Sequence, residues 1–344
     1  MIRIAFSRCA VLLATGALLT SGAASPAASA SPPAQLAGAR IDVTRIGGAD
    51  RYEVAAKAST KLQQGSKPVI FLATGENFPD ALSAGPATHQ EVATSHLLLT
   101  SRDHIPQSVA DEITRIDPDE VVIVGGRNSI SSSVEDELMH LVPRSQISRI
   151  NGVDRYDVSQ KLVTRYFESN AQLRPHIATG ANFPDALSAG PAAMLSVSPV
   201  LLVPGGSSSI DTPTRTGLGA LKMDAMVVVG GEASVSAGIF SDLNSIAPTT
   251  RADGIDRYAA SLAINQQTFS RADTAYLATG VTFPDALTGG VLAGYDESPL
   301  YIVPGTCVPR GVSADFTRLG VQHVVLIGGP ASLSDAVAQL TPCP

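Results

Sequence analysis

Short blocks of unbroken apolar residues alternate along this chain with longer stretches in which apolar residues return every three or four positions. A last short strand is expected at 147–150, and residues 69–73, 97–99 and 121–124 are blocks of the first kind. They read as strands buried on both faces. Between them lie helical patterns at 50–64, 79–90, 105–116 and 131–141. The first carries Tyr52, Ala55, Ala56, Ala58 and Leu62 on one stripe, the second has a proline in its opening turn, and the fourth follows a serine in cap position. The order then repeats, with strands expected at Ile177, 200–203 and 226–229, and again at 276–278, 300–303 and 324–327. Apolar strands alternating with helices predict an α/β fold, each unit a parallel sheet flanked by helices, with right-handed crossovers.

The repetition extends to particular residues. Ala73-Thr74-Gly75-Glu76-Asn77-Phe78-Pro79-Asp80-Ala81-Leu82 returns as Ala178-Thr179-Gly180-Ala181-Asn182-Phe183-Pro184-Asp185-Ala186-Leu187, and once more from Ala278 to Leu287. Asp185 lies 105 residues beyond Asp80, and Asp285 lies 100 beyond Asp185. Units of about 100 residues can each hold a core, so the expectation is three tandem domains rather than a thin solenoid. The divisions fall at 41–146, 147–248 and 249–344. The third unit lacks the closing strand of the other two, whereas an unmatched strand, 41–46, opens the first. If that strand completes the third unit, the three close into a pseudo-three-fold ring; an open array with one frayed end is the alternative.

The first thirty residues have the layout of an export signal: Arg3 and Arg8, an apolar run over 9–19 too short to span a bilayer, and an Ala28-Ser29-Ala30 cleavage site. Residues 31–40 read as a linker, and no later run is long enough to cross a membrane. Removing the signal takes the net charge from −7 to −9. An acidic chain without tryptophan and with 5% aromatics fits neither a nucleic-acid binder nor an aromatic stacking platform. Export makes a disulfide the expected state of the two remaining cysteines, Cys307 and Cys343. No patterned Cys or His accompanies them, so no metal is expected.

Two shared motifs carry the candidate chemistry. Arg45-Ile46-Gly47-Gly48-Ala49-Asp50-Arg51-Tyr52 recurs from Arg149 to Tyr156 and from Arg251 to Tyr258. Asp50, Asp154 and Asp256 are placed to cap helices, with Glu53 completing a capping box in the first unit. Arg51, Arg155 and Arg257 face the positive end of a helix, which implies an anionic partner: an aspartate of the neighbouring unit or a ligand. Thr74, Thr179 and Thr279 end a strand at the carboxyl edge of the sheet, where open α/β sheets bind ligands, and Asp80, Asp185 and Asp285 follow close by. Glycine pairs 125–126, 230–231 and 328–329 end another strand at the same edge. Such a rim suits ligands bearing hydroxyl or phosphate groups. Enzyme signatures are missing. None of the six histidines recurs in register, Ser83 is in no G-x-S-x-G elbow, and there is no phosphate or dinucleotide loop. No cofactor is expected.

The A-T-G-x-N-F-P-D-A-L core, the upstream R-I-x-G-x-D-R-Y and the downstream V-V-x-V-G-G together resemble the cell wall binding repeat 2 family, over residues 41–342. The resemblance implies three Toprim-like modules in a pseudo-three-fold trimer, in a secreted protein of a Gram-positive surface. It also implies non-covalent attachment to an anionic cell-wall polysaccharide in grooves near the module contacts, with peptidoglycan itself as the alternative partner. The candidate polymer-binding residues are then Arg45, Asp50, Arg51, Thr74 and Asp80; Arg149, Asp154, Arg155, Thr179 and Asp185; and Arg251, Asp256, Arg257, Thr279 and Asp285. Ala252, Thr282 and Thr288 depart from the other repeats, so equal affinity is not expected of the three grooves. The chain reads as a non-catalytic wall-binding protein. A secreted hydrolase of wall components and a self-associating surface coat are the rival readings.

Overall fold

The computed structural model describes residues 40–63, 65–90 and 94–344. The expected export signal and residues 31–39 of the linker lie outside the described residues. The chain begins with β1 (Asp42–Ile46), α1 (Arg51–Ser59), β2 (Val69–Thr74), α2 (Pro79–Ala87), β3 (Ser95–Thr100), α3 (Gln107–Ile116), β4 (Glu120–Val124), α4 (Ser132–Leu141) and β5 (Gln146–Ile150). It continues with α5 (Arg155–Phe167), β6 (His176–Thr179), α6 (Pro184–Leu195), β7 (Val200–Val203), α7 (Thr212–Ala220), β8 (Met226–Val229), α8 (Ala237–Ile246) and β9 (Thr249–Ala252). It ends with α9 (Arg257–Thr268), β10 (Thr274–Thr279), α10 (Pro284–Tyr295), β11 (Leu300–Val303), α11 (Arg310–Leu319), β12 (His323–Ile327) and α12 (Asp335–Ala338).

Three four-stranded parallel sheets result, ordered β3-β2-β4-β5, β7-β6-β8-β9 and β1-β12-β10-β11. The third order settles the question of closure. β1 pairs with β12 in parallel, from Asp42 opposite His323 to Ile46 opposite Ile327. β5 pairs with β4, and β9 with β8, in the same manner. The Gly328 N–H donates to the Ile46 carbonyl at 2.9 Å, as Gly125 does to Ile150 and Gly230 to Ala252, each at 2.8 Å. The ring is therefore closed by the first strand of the chain. Strands β5 and β9 likewise finish the sheet of one module and run directly into the first helix of the next.

Helices α2, α6 and α10, which open on the Phe-Pro-Asp motif, pack on one another at the centre. Every residue of α2 is buried, as are all of α10 but its last and most of α6. That burial explains their composition: a helix surrounded by protein shows no polar stripe, and alanine and glycine let three such helices approach. Around this hub, α1 packs on α10 and β3, α5 on α2 and β7, and α9 on α6 and β11. Each of these helices thus ties its own sheet to the hub helix of the preceding module. Buried hydroxyl pairs fasten two of the contacts, Ser83 to Ser159 at 2.8 Å and Ser188 to Ser261 at 2.7 Å.

Several boundaries differ from the sequence pattern. Helix α1 ends at Ser59 because the Thr60 hydroxyl bonds back to the Lys57 carbonyl and the chain turns. Helix α3 starts after Pro106, which occupies its cap position. Ser131 is the cap residue of α4, but its hydroxyl makes no capping bond. Helix α12 is short, and Leu340 just beyond it adopts a left-handed φ of 53°. Beyond it Cys343 is joined to Cys307, as export implied, with Cα atoms 4.9 Å apart. On the chain-entropy account a bridge of this span stabilises by about 3–4 kcal/mol.

Gly85, Gly190 and Gly290 occupy one position of the hub. A Cβ at Gly290 would meet its nearest atom at 3.7 Å, an ordinary contact. Val291 follows it, whereas Pro86 and Pro191 follow the other two, and a side chain before proline is disfavoured in a helix. Gly290→Ala is therefore expected to raise unfolding free energy by about 1 kcal/mol in urea titration, and Gly190→Ala to give no such gain.

Candidate binding grooves between the modules

The site is built where each closing strand hands over to a helix. The Asp50 carboxylate accepts the Tyr52 and Glu53 N–H groups at 2.9 Å. Asp154 and Asp256 repeat the arrangement at 2.8–3.0 Å. These three are N-caps, and all are exposed. Glu53 reaches the Ala49 N–H, one residue earlier than a capping box requires.

The arginine before each turn belongs to the scaffold. Arg45 donates to the carbonyls of Gly328 (2.8 Å) and Leu333 (2.9 Å), which fastens the ring closure. Arg149 donates to the Gly125 carbonyl and pairs with Glu135 at 2.5 Å. Arg251 donates to the Gly230 carbonyl and stacks on Phe240. Thr74, Thr179 and Thr279 are buried as well. Each hydroxyl oxygen accepts the N–H two residues on, at 3.2 Å. They shape the turn rather than line a surface.

The arginine after each cap has the unusual environment. Its stem and the neighbouring tyrosine ring lie against Gly75, Gly180 or Gly280, where a Cβ would stand 2.6–2.7 Å from the ring. The guanidinium donates to the carbonyl of that same glycine, from Arg51 at 2.5 Å and from Arg155 and Arg257 at 2.6 Å. It also covers a phenylalanine of the preceding module: Arg51 on Phe283 (5.9 Å), Arg155 on Phe78 (5.5 Å) and Arg257 on Phe183 (5.8 Å). The three phenylalanines meet one another, with ring centroids 5.6–5.7 Å apart.

Asp80, Asp185 and Asp285 are buried beneath these arginines. Burial pushes each carboxyl above the usual carboxylate range. A serine hydroxyl (Ser129, Ser234 or Ser332) and the next module's arginine pull the other way. Each arginine thus faces an aspartate of the preceding module across the boundary, but no N–O contact within 4.0 Å joins them among the described residues. The anionic partner implied by the sequence is supplied at long range, with a carbonyl and a ring face in direct contact.

Each aspartate rests on a glycine with φ near +110°: +116° at Gly125, +104° at Gly230 and +117° at Gly328. A side chain there would be driven into the carboxylate. The serine four residues on, in a recurring G-G-x-x-S, was missed as a site residue; its fixed spacing in all three repeats was the available signal. Between these loops open grooves run along the module boundaries. The first, about 360 Å³, is lined by Asn77, Asp80, Arg127, Asn128, Asn151 and Arg155 among others. The second, about 210 Å³, is lined by Asn182, Asp185, Ser234, Ile255, Asp256 and Arg257 among others.

A triplicated α/β module closed into a ring, with grooves at the module contacts, defines the class of this chain. The chain belongs to the cell wall binding domain 2 family, whose model matches residues 45–135, 149–240 and 251–338. It is a secreted, cell-wall-associated protein. It is 27% identical over 296 residues to the N-acetylmuramoyl-L-alanine amidase LytC of Bacillus subtilis, covering 86% of this chain and 57% of that one. It is also 27% identical over 305 residues to the amidase enhancer of the same organism, covering 88% and 41%. Among solved structures it resembles Cwp6 from Clostridium difficile, with a TM-score of 0.78 at 25% identity over 88% of this chain and 48% of that one. Cwp8 from the same organism matches in fold, with a TM-score of 0.77 at 21% identity over 87% and 51%. The chain thus spans about half the length of the relatives it matches. No helix among the described residues is long and apolar enough to cross a membrane.

Gly230→Ala combines a left-handed backbone with a collision at Asp185. It is expected to destabilise the chain by about 2 kcal/mol or more in urea titration. At the adjacent Gly231 a Cβ would meet nothing within 4 Å, and Gly231→Ala is expected to be near neutral.

Proposed function

We propose that the ring is a non-catalytic anchor that holds an anionic cell-wall polysaccharide in the grooves between its modules. The observation that carries this reading is the Arg155 guanidinium. It lines the first groove among Asn77, Asn128 and Asn151, with a single hydrogen bond among the described residues, to the Gly180 carbonyl, so its remaining N–H groups are placed for an anionic or hydroxyl-bearing ligand. The groove volume is within the range of small-ligand sites. Kinship to an amidase and an amidase enhancer fits an attachment role, in which such a ring keeps an activity at the wall.

A hydrolytic reading needs a nucleophile and a base open to substrate. The Ser59 hydroxyl lies 2.8 Å from His96 Nδ1, which invites that reading. It donates to Glu112 at 2.5 Å, however, so the histidine must donate to it and cannot take its proton. His96 is fully buried, and that burial pushes its pKa to about 4 despite Glu112. Glu112 is held in turn by Arg115. The group staples α1, β3 and α3 together.

Wall attachment is tested by co-sedimenting the secreted chain with purified sacculi before and after chemical removal of anionic polymers. Binding is expected to vanish on removal and to fall about tenfold in Arg155→Ala. Equal binding to stripped walls would move the target to peptidoglycan, and turnover of wall components would overturn the non-catalytic reading. The buried histidines make a separate prediction. His96 titrates at about 4 and His176 at about 3 when folded, both below the ordinary 6.5. Their contribution to stability is present above pH 6.5 and is lost as pH falls toward 4 for His96 and toward 3 for His176, because the unfolded chain takes up the protons first. His96→Gln is expected to flatten part of that loss in urea titrations across this range.

A further inference from the structure

The three grooves are related by the ring's pseudo-symmetry, yet the residues at their mouths differ in charge and spacing. The loop position after the glycine pair is Arg127 in the first groove, Glu232 in the second and Pro330 in the third. The position before the capping turn is Asn151, Asp253 and Gly47, respectively. In the first groove Arg127 is 74% exposed. Glu135, 3.8 Å from it, is already engaged by Arg149 at 2.5 Å, so most of the Arg127 charge faces solvent. At the equivalent positions beside the second groove Glu232 and Asp253 are both exposed, and both act electrostatically on the Arg251 guanidinium. A cap aspartate lines both grooves, Asp154 the first and Asp256 the second, so it does not distinguish them. No cation stands at the position of Arg127.

Spacing separates the third groove from the other two. A Cβ at Gly126 or Gly231 would meet nothing within 4 Å, so the first two grooves are open at this point. At the equivalent Gly329 the Gly48 carbonyl would lie 3.5 Å away, and a Cβ at Gly47 would lie 3.5 Å from both Gly328 and Gly329. The third groove, formed where the two ends of the ring meet, is pinched and carries no charge at either selecting position.

We infer that the first groove is the anion-accepting groove of the ring, with Arg127 and Asn151 as its selectivity determinants, and that Glu232 and Asp253 set the second groove against polyanions. This rests on the reading that the chain binds an anionic wall polysaccharide. It also accounts for an acidic protein holding an acidic polymer: the attraction is local to one mouth, which Arg127 and Arg155 both line. The net charge of the chain does not enter.

The test is titration calorimetry of the secreted chain with short glycerol-phosphate oligomers as the probe, at low and high salt. The wild-type chain is expected to take up one oligomer per chain. Exchanging the first mouth for the second, Arg127→Glu with Asn151→Asp, is expected to weaken binding about tenfold, less at high salt. The reverse exchange, Glu232→Arg with Asp253→Asn, is expected to create a second site. All four side chains are exposed, and Arg127→Gln provides a milder first-groove variant whose unchanged melting verifies folding. Undiminished binding after the first-groove exchange, or three equal sites in the wild type, would overturn this assignment and leave wall attachment standing. A wild-type chain that binds neither the oligomer nor intact sacculi would overturn both.

Discussion

The contact on which the ring depends is an arginine lying across a module boundary. Arg51, Arg155 and Arg257 each bond a glycine carbonyl of their own module and cover a phenylalanine of the preceding one. A cation in the first turn of a helix is opposed by the macrodipole. It is tolerated because a carbonyl, a ring face and a buried aspartate all present negative potential to it. The same phenylalanines form the triad that the three modules share. Cohesion of the ring and the chemistry of its grooves therefore draw on one set of side chains.

The grooves follow from how the sheets are finished. Because the last strand of each sheet leads directly into the first helix of the next module, the capping turn of one module is held against the glycine-pair loop of another. The glycine pair is needed twice over. Its first member takes a backbone conformation that other residues resist, and it leaves room for the aspartate beneath. Burial then pushes that carboxyl above the usual carboxylate range, opposed by the serine hydroxyl and by the arginine of the next module. At the ring closure the handover is made by β1, so the third groove is assembled from the two ends of the described chain.

Much of this was legible in the residues. Unbroken apolar strands fixed the parallel sheets, because a strand covered on both faces cannot carry a polar alternation. The strand lacking in the third repeat and the spare one before the first predicted closure, which the register of β1 on β12 demonstrates. The aspartate caps were read correctly, since Asp50 and its counterparts act through local backbone geometry that sequence spacing determines, whereas Ser131 makes no capping bond and Glu53 reaches Ala49 instead of closing a capping box. Recurrence was a poorer guide to which polar groups face a ligand. Thr74, Arg45 and their counterparts recur because the turn and the closing strand need them, and repetition alone does not distinguish an inward from an outward side chain. Ser129, Ser234 and Ser332 were overlooked for the converse reason: a lone serine in a loop draws no attention until the aspartate above it is located.

The central claim is that Arg155 couples the first and second modules through Phe78. A double-mutant cycle of Arg155→Met and Phe78→Leu, read by urea unfolding, measures that coupling directly. A favourable interaction of about 1 kcal/mol between the two side chains is expected. Additive effects of the two substitutions would contradict the account, and cohesion of the ring would then have to be assigned to the hub helices alone.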